Sequence, residues 1–97
     1  MAPGITKEKI LELQKENSML HLIDIRSADE YNVSHVPGAE NIVAEEIGNI
    51  SFDKNDTIVC ICNQGHKRSQ GTADAVFAMG FENTFYLEGG TVGWHVT

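Results

Sequence analysis

Cys62 is the residue of this chain best placed to act as a nucleophile. It follows an apolar run, residues 57–61, that predicts a buried strand, and it precedes residues 69–79, which predict a helix. The first backbone N–H groups of a helix have no partner inside the helix and bind anions readily. Because a thiolate is an anion, this position predicts a lowered pKa and a nucleophilic sulfur for Cys62.

The loop after Cys62 is predicted to bind anions. It carries three residues with basic side chains, although the whole chain has only 7 Lys and Arg against 14 Asp and Glu. A glycine in the loop lets the backbone bend around a bound group. A lone cysteine on a strand is more often buried and inert, and the local cluster of cations favours the anion site instead. The predicted anion-binding residues are Asn63, Gln64, Gly65, His66, Lys67, Arg68 and Ser69.

The length of 97 residues predicts one domain that spans residues 1–97. A net charge of −7 argues against non-specific binding to nucleic acid and to anionic membrane surfaces. No apolar run approaches the length of a membrane span, and the first residues lack the pattern of a signal peptide. We therefore expect a cytoplasmic protein that contacts neither nucleic acid nor membrane.

The cysteines and histidines do not form a framework for disulfides or metals. Cys60 and Cys62 lie two residues apart on one predicted strand, so a disulfide between them would strain the extended backbone. A role for Cys60 in resolving an oxidised Cys62 remains an alternative. The four histidines are scattered without the spacing of metal ligands, so we expect neither a metal nor another cofactor.

Predicted strands alternate with predicted helices along the chain. This alternation indicates an α/β fold with a mainly parallel sheet. In such sheets ligands bind beyond the carboxyl ends of the strands, which is where Cys62 is expected. The predicted helices cover residues 5–17, 27–33, 44–50 and 69–79, and the predicted strands cover residues 19–25, 40–43, 57–61 and 84–87. Of the last helix, Ala73, Val76, Phe77 and Ala78 are expected to face the core.

A group of charged residues follows the predicted strand at residues 19–25. Asp24 or His35 could be a catalytic acid or base, but no nucleophile lies beside them in the sequence. The favoured interpretation is structural, with Asp24, Arg26 and Glu30 holding the loop geometry through hydrogen bonds and an ion pair. Trp94 is expected to pack on the core.

Three segments of the chain form a set of motifs with a fixed order and spacing. The first segment comprises residues 22–26, 30–31, 35–39 and 41–42; the second is the loop with Gly65, Arg68 and Ser69; the third comprises residues 80–81, 87–90 and 94. Together these segments resemble the signatures of rhodanese domains, and the resemblance covers about residues 5–94. The resemblance implies a five-stranded parallel sheet with helices on both faces.

The resemblance also implies a chemistry for Cys62. The thiolate would attack the outer sulfur of an anionic donor such as thiosulfate and become a persulfide. Cyanide, a thiol or a carrier protein would then accept the sulfur, and a thioredoxin-like protein is a candidate acceptor. Backbone N–H groups of residues 63–69 would hold the anion, while Lys67 and Arg68 would attract the donor and stabilise the leaving sulfite.

The loop departs from the rhodanese pattern in its length. Cys62 and Arg68 enclose five residues, one more than in the usual rhodanese loop. A longer loop resembles those of the cell-cycle dual-specificity phosphatases and some arsenate reductases, so either activity is an alternative. The loop has no carboxylate to act as a general acid, although His66 could serve. A further alternative is a sulfur-carrier or protein-interaction module without turnover.

Overall fold

A single parallel sheet organises the part of the chain that the structure describes. The computed structural model describes residues 1–16 and 19–96. Within them the strand order is β1-β5-β4-β2-β3, and every pair of neighbouring strands is parallel. This confirms the α/β class and the parallel sheet. The strands are β1 (Gly4–Ile5), β2 (Leu20–Asp24), β3 (Glu40–Asn41), β4 (Thr57–Ile61) and β5 (Thr84–Leu87).

Helices connect these strands. The described α-helices are α1 (Lys7–Glu16), α2 (Ala28–Val33), α3 (Lys67–Ala78) and α4 (Gly90–Val96), and a 3-10 helix covers Ala44–Asn49. Thr6 caps α1 by accepting a hydrogen bond from the Lys9 amide. Ser27 and Glu30 form the predicted capping box of α2. No described helix combines the length and apolar character needed to cross a bilayer.

Alternate side chains of the strands pack into two separate apolar cores, one on each face of the sheet. On β4, Ile58 and Cys60 belong to one core, while Val59 and Ile61 belong to the other. This alternation follows from the two-residue period of a strand that is buried on both faces. α3 and the 3-10 helix pack into the first core, and α1 and α4 pack into the second, so helices cover both faces of the sheet.

Two short elements are absent from the sequence prediction. β1 has two residues, Gly4–Ile5, and its register with β5 pairs Gly4 with Tyr86. A strand this short shows no periodic pattern. α4 has two glycines among its seven residues, and glycine is a poor helix former. Residue 17, the predicted end of the first helix, lies outside the described residues.

The predicted inner face of α3 was partly wrong. Ala73 and Val76 are buried, but Phe77 and Ala78 are exposed. The helix begins at Lys67, two residues earlier than predicted. Residues 73 and 76 share one helix face, and residue 78 lies on the opposite side of the helix. Residue 77 lies at the edge of the inner face beside residue 73, and Phe77 is 37% exposed there.

The chain changes direction across the sheet between β2 and β4. From β2 it continues outward to β3, and from β4 it continues to β5 on the opposite side. Such a switch point leaves a crevice at the carboxyl ends of the two strands. Cys62 directly follows β4 and Arg26 follows β2, so both residues lie at this crevice.

Candidate active site

The sulfur of Cys62 lies in a cradle of hydrogen-bond donors. The side chain is only 3% exposed, and its Sγ lies 3.1 Å from the Ser69 hydroxyl. Backbone N–H groups of Gly65, His66 and Ser69 also donate to this sulfur. These donors come from the end of the loop and the first turn of α3, where helix N–H groups have no partner within the helix.

The donors lower the pKa of Cys62 below that of an ordinary thiol. Burial raises the pKa, but the Ser69 hydroxyl and the backbone N–H groups of Ser69, Gly65 and His66 together outweigh burial. In the thiolate form the Ser69 hydroxyl donates to Sγ. Cys62 is therefore the described cysteine with the greater tendency to ionise, as the sequence predicted.

The position of Gly65 in the cradle requires a glycine. Its φ is +72°, a backbone conformation that residues other than glycine rarely adopt. A Cβ at this position would overlap the Leu87 carbonyl and would lie 2.7 Å from the Gly89 nitrogen. The loop therefore packs directly against the end of β5 and the glycines that follow it, and this contact fixes the position of the loop.

α4 holds the start of the loop. The Thr91 N–H donates to the Cys62 carbonyl at 2.9 Å, and the Val92 N–H donates to the Asn63 carbonyl at 3.0 Å. Gly90 permits this approach, since a Cβ there would lie 2.5 Å from the carbonyl oxygens of both Cys62 and Asn63. These two donors were not among the predicted site residues. The paired glycines at 89–90 are the sequence signal that could have indicated the contact.

A buried ion pair holds the same loop from the other side. Arg26 is 4% exposed and donates to both carboxylate oxygens of Asp24, at 2.7–3.1 Å. Its Nη1 donates to Asn63 Oδ1 at 2.8 Å, and its Nη2 donates to the Ser34 carbonyl. The hydrogen bond with Asp24 is the main cause that raises the pKa of Arg26. The structure thus brings Asp24 and Arg26 to the loop, where they orient the Asn63 amide.

Arg68 is bound to Glu30 in this structure. Its guanidinium lies 3.3–3.4 Å from the two carboxylate oxygens, and its side chain is 51% exposed. The hydrogen bond from Arg68 is the main cause that lowers the pKa of Glu30. The sequence predicted that this guanidinium would bind an anionic donor, but in the structure it is bound to the Glu30 carboxylate. An exposed pair of this kind contributes little to stability and can exchange partners.

The other predicted loop residues surround an open cavity above the sulfur. The cavity has a volume of about 620 Å³. His66 and Lys67 are exposed, so their side chains can reach a bound anion without a large rearrangement. The residues that line the cavity are Cys62, Asn63, Gln64, His66, Lys67 and Arg68.

Cys60 lies in the apolar core, away from the hydrogen-bond donors that surround Cys62. Cys60 is fully buried in the first core, and burial raises its pKa to about 12. Both cysteines are free thiols.

The His35 ring stacks on Tyr31 with 3.8 Å between ring centroids, and its Nδ1 is hydrogen-bonded to the Tyr31 carbonyl. His35 therefore has structural contacts that account for its position.

Together, the fold and the site define an α/β domain whose loop amides hold a cysteine thiolate at the switch point of a parallel sheet. A family model for the rhodanese-like domain matches residues 6–97. The chain therefore belongs to the rhodanese-like domain family, and it is a rhodanese-type transferase. The resemblance noted in the sequence is confirmed.

Individual relatives and solved structures are similar to this chain over most of its length. The thiosulfate sulfurtransferase GlpE of Pseudoalteromonas translucida is 29% identical over 92 residues, which cover 93% of this chain and 86% of that protein. The human single-domain sulfurtransferase TSTD1 superposes with a TM-score of 0.87 at 20% identity, covering 100% of this chain and 98% of that one. A rhodanese-like domain protein from Staphylococcus aureus has a TM-score of 0.81 at 26% identity, with coverages of 95% and 90%.

Proposed function

We propose that this protein transfers sulfane sulfur through a persulfide on Cys62, with thiosulfate or a similar anion as the donor. The observation that carries the proposal is the cradle of amide and hydroxyl donors around Cys62 Sγ. Such donors stabilise either a thiolate or a persulfide anion without a side-chain base. The family match and the named activity of the GlpE relative support the same chemistry.

In the first half-reaction the Cys62 thiolate attacks the outer sulfur of the donor. A bond forms between Sγ and this sulfur, and the sulfur–sulfur bond of thiosulfate breaks. The bonding electron pair leaves on sulfite, so the products are the Cys62 persulfide anion and sulfite. The cradle lowers the pKa of Cys62 and so favours the thiolate, and attack by the thiolate itself needs no proton acceptor.

Cationic side chains at the rim favour the approach of an anionic donor to an anionic sulfur. Lys67 and His66 are exposed beside the cavity, where they can contact an incoming sulfonate. Arg68 contributes only after its guanidinium leaves Glu30, and the exposure of this pair makes the exchange inexpensive. We therefore assign donor binding first to the loop amides and Lys67, and then to Arg68.

In the second half-reaction a nucleophile removes the outer sulfur from the persulfide. Cyanide attacks this sulfur and forms thiocyanate, or a thiolate attacks it and forms a new persulfide. In either case the bonding pair returns to Sγ and restores the Cys62 thiolate in its cradle. The acceptor is a small nucleophile or a protein thiol, and a thioredoxin-like protein is one candidate.

A phosphatase or arsenate reductase activity is the second candidate because five residues separate Cys62 from Arg68. Two features of the site weigh against it. The residues that line the cavity include no carboxylate among those described, so His66 would have to act as the general acid. Arg68 binds Glu30, whereas a tetrahedral oxyanion would need the guanidinium directly above the loop.

Intact mass spectrometry after incubation with thiosulfate tests the proposal. We expect the protein to gain one sulfur atom, the Cys62→Ser variant to gain none, and cyanide to remove the gained sulfur as thiocyanate. Sulfur loading in the folded Cys62→Ser variant would contradict the assignment of the nucleophile. An unloaded wild-type protein that hydrolyses an aryl phosphate or reduces arsenate would instead establish the second candidate.

Repeated turnover distinguishes the enzyme from a sulfur carrier. With thiosulfate and cyanide both in excess, an enzyme releases many equivalents of thiocyanate for each protein molecule. A carrier that holds sulfur for a partner releases about one equivalent, since it discharges once and reloads slowly. The same assay therefore separates the proposed activity from a module without turnover.

A further inference from the structure

A second cavity adjoins the loop on the side of α4. It has a volume of about 440 Å³, a size typical of small-molecule sites. Asn63 lines both this cavity and the one above Cys62, so the two cavities share a wall one residue from the nucleophile. We call the second cavity the valine pocket, and its lining residues include Arg26, Glu30, Val33, Asn63, Thr91 and Val92.

The Thr91 hydroxyl in this pocket is buried, and it has no hydrogen-bond partner among the residues that the structure describes. Thr91 is 3% exposed, and its Oγ1 makes no hydrogen bond to residues 1–16 or 19–96. A buried hydroxyl without a partner is destabilising, and valine would fill the same space without this penalty. A group outside the described chain that bonds to Oγ1 would remove the penalty.

A second polar group in the pocket is oriented by the ion-pair network. Arg26 Nη1 donates to Asn63 Oδ1, so the amide is turned with its Nδ2 hydrogens available for another partner. Asn63 is exposed, so a ligand can reach this amide. The pocket thus offers an amide donor and a hydroxyl, which suit the carbonyl oxygen of a ligand.

The remaining walls favour an uncharged, apolar ligand. Arg26 is paired with Asp24, and Glu30 is paired with Arg68, so the charges of these lining residues are already balanced. Val33 is 87% exposed and Val92 is 49% exposed, and both border the pocket. Exposed valines grouped beside a cavity indicate a binding surface more than scattered apolar residues do. The valine pocket therefore differs from the cationic cavity above Cys62.

We propose that the valine pocket binds the sulfur acceptor, and that this acceptor is a peptidic thiol, a cysteine with peptide carbonyls and an apolar neighbour. The proposal rests on the proposed function, since it assigns the two half-reactions to two adjoining cavities. The anionic donor enters through the cationic cavity. The acceptor places a carbonyl on Thr91 and Asn63 and its apolar side chain on Val33 and Val92.

The chemical step in this arrangement is balanced without a further reagent. The acceptor thiolate attacks the outer sulfur of the Cys62 persulfide, and a bond forms between the two sulfurs. The bond between the outer sulfur and Sγ breaks, and its electron pair returns to Sγ. The products are the persulfide anion of the peptide and the Cys62 thiolate, with one negative charge on each as before.

The test compares acceptors on protein that has been preloaded with thiosulfate and freed of excess donor. The discharge rate is measured by intact mass with three acceptors: N-acetyl-cysteinylvalinamide, 2-mercaptoethanol and cyanide. In Thr91→Val we expect the ratio of the dipeptide rate to the 2-mercaptoethanol rate to fall by about tenfold, the effect of one lost hydrogen bond. The melting temperature should stay the same or rise, because the change removes a buried hydroxyl without a partner.

A second variant tests the apolar wall without risk to the fold. Val33→Ser changes a largely exposed residue, and we expect it to lower the same rate ratio by several-fold. Leu11→Ser is the matched control, since this partly exposed leucine lies on α1 and does not line the pocket. It should leave the ratio unchanged.

The outcomes separate this inference from the proposed function. If the wild-type protein loads sulfur and cyanide removes it, but both variants keep the wild-type rate ratio within about twofold, the acceptor site is refuted and the proposed function stands. An equal loss for all three acceptors also refutes the site, since it would mean general damage to the loop. A wild-type protein that never loads sulfur refutes both.

Discussion

Cys60 and Cys62 lie two residues apart along the same face of the sheet, yet their thiols have opposite properties. Cys60 is enclosed by apolar side chains in the first core, and burial raises its pKa to about 12. Cys62 is nearly as well buried but is surrounded by backbone N–H groups and a hydroxyl, which together lower its pKa. Burial alone therefore does not determine the pKa of a thiol, because hydrogen-bond donors around the sulfur can outweigh the effect of burial.

The two environments differ because β4 ends at Ile61. Within the strand, the N–H groups near Cys60 are used in pairing with β2 and β5. Beyond the strand the backbone turns into α3, whose first N–H groups have no partner in the helix and lie close to Cys62. Substitutions in the cradle should therefore change the pKa of Cys62 and leave the pKa of Cys60 unchanged.

Gly65→Ala should have the largest effect. A Cβ at this position overlaps the Leu87 carbonyl, and the positive φ disfavours alanine, so we expect a loss of about 2–4 kcal/mol in unfolding free energy. Sulfur loading should fall by more than about tenfold, because the donors move away from Sγ. Urea unfolding and intact mass measure the two effects.

The control for this prediction is Gly71→Ala in α3. Nothing lies within 4 Å of a Cβ at Gly71, and alanine favours the helix, so this variant should be more stable by about 0.5–1 kcal/mol. Wild-type stability and loading in Gly65→Ala would show that the close approach to β5 does not shape the cradle.

Ser69→Ala should make Cys62 more like an ordinary thiol. Burial raises the Cys62 pKa and the Ser69 hydroxyl is the main group that lowers it, so the variant should have a higher pKa. The pH midpoint of alkylation by iodoacetamide should move upward. At neutral pH the alkylation rate should fall by about tenfold, the effect of one hydrogen bond to an anion.

The pH profile distinguishes this effect from structural damage. Loss of the hydrogen bond moves the midpoint and leaves the rate at high pH unchanged, whereas a distorted loop lowers the rate at every pH. An unchanged midpoint would mean that the backbone N–H groups alone set the pKa of Cys62.

Cys60→Ala should have the smallest effect on the chemistry. Removing a buried sulfur leaves a small cavity in the first core, so we expect a loss of about 1–2 kcal/mol in stability. Sulfur loading should remain at the wild-type level, because a thiol with so high a pKa takes no part. A folded Cys60→Ala protein that fails to load or discharge sulfur would instead support a resolving role for Cys60.

Several features of the fold could be predicted because they depend on local sequence. The apolar run at β4, the capping box at Ser27 and Glu30, and the final strand Thr84–Leu87 all agree with the structure. The two-residue β1 could not be predicted, because it exists only through its pairing with β5. α4 was also missed, because its position depends on contacts of its amides with the loop.

Among the charged residues of the site, too, some features could be predicted from local sequence and others depend on tertiary contacts. The sequence predicted a basic loop and an ion pair near Arg26, but it did not predict that Arg68 would bind Glu30 across 38 residues. The ion pair depends on how close the loop lies to α2, and the spacing within the loop carries no information about that distance. The valine pocket was likewise absent from the prediction, because its walls come from α2, the loop and α4.

By itself, the sequence determined the family, the α/β class and the candidate nucleophile, because each rests on residue types at short, fixed spacings. The tertiary structure decided which donors reach the sulfur, where the Arg68 charge lies, and which buried hydroxyl has no partner among the described residues. These properties depend on the approach of segments that are distant in the sequence, such as β5 and α4 against the loop. Such distances are set by the packing of the whole sheet and its helices, so no local pattern of residues encodes them.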